Sequence, residues 1–298
     1  MLSDHASIDV AVCTYRRASL EATLRSLAAQ VLPPTARMRV IIADNDEAPS
    51  AQGLVERVMS ELALDFAYVH APARNISVAR NACLATARAP LLAFIDDDEE
   101  ACATWLRDLI LRLGESDADV VFGPVRAIYQ DDAPRWVREV DLHSFGPVRR
   151  PGRGIETGYT SNVLLRRDRL GDLEFDPELG RSGGEDTIFF HQLNARGAKL
   201  EFAPTAVVTE LVRPPRAQLN WLLKRSFRTG QTYARILRAR GSPRAQAAML
   251  ALAKIAYCAG AVGLNAFSAT RRSRALVRGA LHCGVVGSLL GLSDLRLY

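Results

Sequence analysis

The stretch Leu91-Leu92-Ala93-Phe94-Ile95-Asp96-Asp97-Asp98-Glu99-Glu100 decides how the rest of the chain is read. Five apolar residues after Pro90 make a buried strand, too short for a helix. Five carboxylates follow without a break. Packed side by side they repel, so a fold keeps them at a strand end only when solvent or a cation neutralises them. Residues two apart on an extended segment project to the same side, which lets Asp96 and Asp98 share one hard divalent ion. The same acids also suit the first turn of a helix over 99–113. Both readings stand at this point.

Upstream, 8–13 reads as a first strand ending in the polar turn Thr14-Tyr15-Arg16-Arg17. A helix with Leu20, Leu24 and Leu27 on one face follows and stops at Pro33-Pro34. Residues 38–43 form a second strand ending on Asp44 and Asp46, either side of Asn45. A helix over 50–62, a strand over 66–70 and a helix over 77–87 come next, the last carrying Arg80 and Asn81. This alternation predicts an α/β fold with a mostly parallel sheet and helices on both faces. Ligands of such sheets gather at the carboxyl ends of the strands. Thr14, Asp44 and Asp96 all lie at that edge. The first turn has neither a GxGxxG fingerprint nor a P-loop, so a nucleotide would be held by side chains and a metal.

Downstream, 119–123 is a fifth strand that extends toward 129. Residues 131–157 are rich in Pro, Gly and Arg and are expected to be mobile; 160–166 is another strand. Gly180-Arg181-Ser182-Gly183-Gly184-Glu185-Asp186-Thr187 forms a flexible, close-approach turn into a helix over 188–195. That puts Glu185 and Asp186 at a helix N-terminus, where Asp186 or Thr187 also serves as a plain cap. Short strands over 199–202 and 207–210 close a first domain, 1–210.

Charge divides the 298-residue chain at the same place. Residues 211–298 hold 15 Lys and Arg against one acid, Asp294. Subtracted from totals of 38 basic and 33 acidic residues, this leaves 23 and 32 in 1–210. The front is therefore acidic and the tail strongly basic, with Pro204 and Pro214-Pro215 marking the boundary. The five cysteines are scattered without zinc spacing, which fits a reducing compartment. Residues 1–6 carry no secretory pattern, so the expected location is cytoplasmic. In the tail, 216–240 is a basic helix, 245–264 has only Lys254 charged, and 275–292 is again apolar. Low-charge helices beside basic clusters predict attachment to the inner face of the cell membrane, in preference to a transmembrane hairpin. A soluble helical cap is the competing reading. Nucleic acid is not expected, because aromatics are sparse and the apolar runs long.

Five pieces in order give the chain its resemblance: Val12-Cys13-Thr14-Tyr15-Arg16-Arg17, Ala43-Asp44-Asn45-Asp46, Val78-Ala79-Arg80-Asn81, Phe94-Ile95-Asp96-Asp97-Asp98 and Gly183-Gly184-Glu185-Asp186-Thr187. Across roughly 8–235 the chain resembles the family 2 glycosyltransferases of GT-A fold, in particular the bacterial exopolysaccharide branch with succinoglycan-type β-glucosyltransferases. The resemblance implies that Thr14, Tyr15, Arg16, Asp44 and Asp46 hold the base and ribose of a nucleotide-sugar, and that Arg80 and Asn81 approach its nucleotide or diphosphate. It implies a DxD-type motif at Asp96, Asp97 and Asp98. There Asp98, with Asp96, would hold Mg2+ or Mn2+, and Asp96 and Asp97 would also contact ribose or sugar. Asp186, beside Glu185, would be the general base. The Gln-x-x-Arg-Trp signature of processive synthases is replaced by Trp221-Leu222-Leu223-Lys224-Arg225, which points to transfer of a single sugar.

The function expected is an inverting, metal-dependent hexosyltransferase. It would pass one sugar from a UDP-linked donor to a hydroxyl of a glycan or lipid-linked oligosaccharide during surface polysaccharide synthesis. The alternative from another class is a non-catalytic nucleotide-sugar-binding or scaffold subunit of an assembly complex. A glycoside hydrolase also needs two carboxylates but not this acid cluster with basic partners. A nucleotidyltransferase would bring a glycine-rich basic N-terminal loop, which is missing.

Overall fold

The computed structural model describes residues 6–150, 152 and 154–296, so the reading of the first five residues lies outside the described residues. β1 (Ser7–Thr14), α1 (Leu20–Ala28), β2 (Arg37–Asp44), α2 (Gln52–Leu62), β3 (Phe66–His70), α3 (Ile76–Thr86) and β4 (Leu91–Asp96) alternate as the hydrophobic pattern predicts. Then come β5 (Glu99–Ala101), α4 (Trp105–Ser116), β6 (Val120–Phe122), β7 (Val125–Tyr129), α5 (Arg135–Val140), β8 (Val148–Arg150), β9 (Gly154–Thr157) and β10 (Asn162–Arg166). After a 3-10 turn at Arg167–Arg169 follow α6 (Glu185–Ala195), β11 (Leu200–Phe202), β12 (Val208–Val212), α7 (Leu219–Ala239), α8 (Arg244–Leu264) and α9 (Ala269–Leu289). The chain forms two compact units. The first comprises Met1–Ala127, Ser144–Arg181 and Glu185–Leu211; the second comprises Ile128–His143, Ser182–Gly184 and Val212–Tyr298.

In the first unit a seven-stranded sheet runs β11-β6-β10-β4-β1-β2-β3. β1 pairs parallel with β2 and β4, β2 with β3, and β6 with β11; β10 alone runs antiparallel, between β4 and β6. The central strands are apolar on both sides because both faces are covered. Val10, Val12 and Ile42 pack with Leu24, Val55 and Trp105 of α1, α2 and α4 on one face. Ala11, Ile41 and Phe94 meet Ala79 and Cys83 of α3 and Phe189 of α6 on the other. At the opposite strand ends Asp9, 1% exposed, accepts both Arg39 nitrogens at 2.8 and 3.0 Å and the amides of Arg88 and Ala89.

One expectation needs correction here. The helix after the acids starts at Trp105, not at 99: Glu99–Ala101 is a strand, with Glu99 in register with Glu210 of β12. Glu99 is 2% exposed and accepts the Asp96 amide, so it is not an acidic first turn. Pairing across more than a hundred residues, invisible to local periodicity, decides this. Within 131–157 the chain forms α5 and the paired strands β8 and β9.

The second unit is helical. α7 and α9 cross closely enough that a Cβ on Gly230 would lie 1.9 Å from the Leu281 carbonyl oxygen, and one on Gly284 1.9 Å from that of Phe227. Ala234, Ala251 and Val285 fill the small core beside that crossing. Around α7's start, His143 is fully buried and stacks on Trp221 at 5.5 Å. Its Nε2 faces the Arg216 carbonyl at 3.1 Å, and the Tyr129 hydroxyl lies 3.2 Å from Nδ1. Burial, with the charges of Arg225 and Arg216, pulls His143 down to about 4.

Candidate active site

β1 ends in a turn that Arg16 enters with φ 52°, in the left-handed region. This aims its Nε at Asp46 Oδ2, 2.7 Å away, and lays the guanidinium 5.4 Å from the centre of the Tyr15 ring. The hydrogen bond from Arg16 draws the Asp46 carboxyl down to about 2. Asp44 is fully buried and already accepts three hydrogen bonds, from the Asp46 amide, the Ala51 amide and the Tyr68 hydroxyl. These bonds fix the turn between β2 and α2 and hold Asp46 and Tyr68 in place. Thr14 closes β1 at 2% exposure.

α3 is capped by Asn75, whose side chain accepts from the Ser77 and Val78 amides. The same helix grips the segment 175–180. Asn75 Nδ2 donates to the Pro177 carbonyl at 2.8 Å and Ser77 Oγ to that of Asp176 at 2.8 Å. Asn81 both donates to the Phe175 carbonyl and accepts its amide, each at 2.8 Å. With one donor and one acceptor of its amide engaged, Asn81 clamps Phe175 and keeps a second N–H and a second lone pair.

Arg80, one residue earlier, is the hub. Only 6% exposed, it donates to Glu185 Oε1 and lies 3.7 Å from Asp96 Oδ1, over the Phe175 ring at 5.6 Å. Burial opposes its charge, but Glu185, Asp96 and Asp186 outweigh that and raise its pKa. The acid edge faces it. Asp96 is pushed up to about 7 by loss of hydration, with Asp98, Asp97 and Asp186 adding to the rise and Arg80 opposing it. Its side chain is still 43% exposed, so it stands in an open cleft and not in a sealed interior. Burial and Asp98 push Asp97 up to about 6. Arg17 approaches both, at 3.7 Å from Asp97 and 3.8 Å from Asp98. Asp186 opens α6, its Oδ1 accepting the Thr187 amide at 2.6 Å.

Arg80, Asp96, Asp97, Asp98, Glu185 and Asp186 are thus brought into one electrostatic neighbourhood. Asp44 and Asn81 each carry structural hydrogen bonds at that edge. Arg17, Asn75 and Phe175 are participants that sequence reasoning did not single out; only Arg17 had a signal, its place in the first polar turn. Within the second unit, Gly183 and Gly184 take φ of 84° and 89°. A Cβ on them would come 2.2 Å from Arg228 Nη1 and 2.3 Å from Thr232 Oγ1, so no larger residue fits the turn that precedes Glu185.

Among the described residues no three His, Cys, Asp or Glu side chains converge as a metal cage. Asp96 ends β4 and Asp98 lies in the turn after it, so the two are not on one extended segment as expected, though both remain carboxylate donors of the kind a hard divalent ion takes. Mg2+ is commonly held by one or two carboxylates and completed by phosphate and water, so an incomplete protein set is the expected one.

An acid-edged, mostly parallel sheet covered by helices on both faces, with this basic hub beside it, is the GT-A architecture of nucleotide-sugar transferases. The chain belongs to glycosyl transferase family 2, whose model matches residues 9–173. It is 48% identical over 302 residues to the succinoglycan biosynthesis protein ExoM of Rhizobium meliloti (strain 1021), covering 100% of this chain and 97% of that one. It is 26% identical over 244 residues to a glucosyl-dolichyl phosphate glucuronosyltransferase of Haloferax volcanii, 75% of each chain. Crystal structures of S. aureus TarS share the fold at a TM-score of 0.54. One, TarS 1-349 in complex with UDP, is 16% identical, with 96% of this chain and 92% of that one covered. Against a longer TarS chain, 19% identical, this chain spans 52% of the length.

Proposed function

We propose that this glycosyltransferase inverts the anomeric centre as it moves one hexose from a UDP-linked donor to a hydroxyl of a glycan or lipid-linked acceptor in exopolysaccharide synthesis. The observation that carries the reading is Arg80, buried between Asp96 and Glu185, at the edge where β4 delivers its acids. As the bond from sugar to diphosphate breaks, negative charge builds on the β-phosphate oxygen. Arg80 and Arg17 are the cations near enough to the acid edge to meet it. A divalent cation held by Asp98 and Asp96 would supply further charge neutralisation at that diphosphate. Asp186 is the base: it takes the proton of the acceptor hydroxyl while that oxygen attacks the anomeric carbon, a contribution of about 10²–10⁴-fold. Glu185 fixes Arg80, and so positions the cation. Tyr15, Arg16 and Asp46 form the wall against which base and ribose would lie. One in-line displacement inverts the centre.

ExoM acts in succinoglycan biosynthesis by name, and the archaeal relative's name includes a dolichyl phosphate, which supports a lipid-linked acceptor. α8 is the one described helix long and apolar enough to cross a membrane by length and composition. We read it as lying at the cytoplasmic surface, because its basic flanks suit an interface.

The test is a screen of the full chain against nucleotide-sugars with Mg2+, Mn2+ or chelator, reading released nucleotide. Slow, metal-dependent hydrolysis of one UDP-hexose is expected. A chain that neither binds nor cleaves any nucleotide-sugar would be no transferase of this kind.

A further inference from the structure

The basic tail carries its charge unevenly. On α9, Arg271, Arg274 and Arg278 follow the spacing that sets residues on one helical stripe. All three are exposed, and with Tyr257 of α8 they line a groove of about 140 Å³. None of the three guanidinium groups has a hydrogen bond or ion pair among the described residues. The acid nearest α9's start, Glu139, is engaged by Arg135 at 2.6 Å and Thr270 at 2.5 Å; Asp294 is held by Arg235. Lys254 adds to the same field: burial, with Lys254 and Arg278, pulls His282 below its ordinary pKa.

Three guanidinium groups converging on one groove repel one another unless an anion shares them. The exposed side chains of α8 say which anion. Met249, Leu250, Leu252 and Tyr257 of α8 are more than half exposed, Tyr257 at 72%, and Leu264 and Phe267 are more so. Apolar exposure gathered on one helix and the turn after it is uncommon on a monomeric soluble surface. A free phosphate has no use for it, whereas a bilayer surface presents phosphate and acyl chain side by side. Interfacial helices bury the apolar face at the headgroup boundary and keep Arg and Lys at the phosphate level.

We infer that the groove between α8 and α9 binds the phosphate of an anionic membrane lipid, with the outer face of α8 laid into the bilayer beside it. This rests on the interfacial reading above and adds to it a defined site and a lipid class. Arg271, Arg274 and Arg278 hold the headgroup, and Tyr257 marks the depth of insertion.

Flotation of the full chain with vesicles of phosphatidylcholine, alone or mixed with phosphatidylglycerol, tests it. The wild type is expected to float with the anionic vesicles only, and less as salt is raised. R271Q/R274Q/R278Q is expected to lose on the order of 100-fold in partitioning, with an unchanged melting temperature. R37Q/R88Q/R150Q, of equal net charge, is expected to bind as wild type; an equal loss there would reduce the effect to bulk charge and overturn the site. Equal wild-type binding to both vesicles, untouched by the triple substitution, would keep surface attachment and overturn the headgroup site. No flotation with any vesicle would overturn both. Release by millimolar glycerol phosphate at constant ionic strength would move the ligand from lipid to soluble phosphate and overturn the docking. Donor hydrolysis is read on the same samples, so a failed transferase reading is told apart from a failed lipid site.

Discussion

Arg80 and Glu185 lie 105 positions apart and meet side chain to side chain inside the first unit. Each is within 7% of complete burial, so each is the other's main compensation for lost water. Removing one charge strands the other. Arg80→Met is expected to destabilise the chain by about 3–5 kcal/mol, read as a shifted urea midpoint. Glu185→Gln should cost less, and the double variant less than the sum of the two. Strict additivity would mean that the two charges do not depend on each other.

Asp98 and Asp186 have opposite expected signatures. Asp98→Ala should lose metal-dependent donor binding; calorimetry showing normal affinity would remove it as a ligand. Asp186→Asn should bind donor as wild type and transfer about 10²–10⁴-fold more slowly. Undiminished turnover would require another base.

Asn81→Ala separates clamp from contact. It deletes two hydrogen bonds to the Phe175 backbone, so a stability loss of about 1–3 kcal/mol is expected with donor affinity little changed. Weakened donor binding at unchanged stability would return Asn81 to the nucleotide.

His143 gives stability a pH slope. Its folded value, about 4, lies below its ordinary one, so between the two the unfolded chain binds the proton and the folded chain does not. Stability is therefore full above the ordinary value and falls as pH drops, by about 2 kcal/mol from pH 7 to pH 5. His143→Phe should flatten that slope in urea titrations; an identical slope would place its origin elsewhere.

The first four strands and their helices were legible because each is a short apolar run or a clear 3.6-residue stripe. The acid edge was legible because carboxylates crowded at a strand end call for an explanation. Glu99 was not: an acid pair ahead of a helix looks like a first turn, and only β12, more than a hundred residues on, makes it a strand. For a related reason the Asn81 clamp was not legible. An amide two turns into a helix advertises polarity but not its partner, and Phe175 is 94 residues away. Short elements such as α5 and the β8–β9 hairpin lack the length for a periodic signal.

The clamps from Asn75, Ser77 and Asn81 to 175–180 have a consequence for how such a chain can change. One helix keeps the guanidinium of Arg80 in step with the segment that leads toward α6, whatever the chain does in between. β9 is tied to α6 from its other side, by Thr157 Oγ1 donating to the Thr187 carbonyl and Asn194 Nδ2 to those of Ile155 and Glu156, so exchanges at 155–157 are felt beside Asp186. Substitutions in α3 are felt at both of its grips at once, at Arg80 and at the backbone of 175–177.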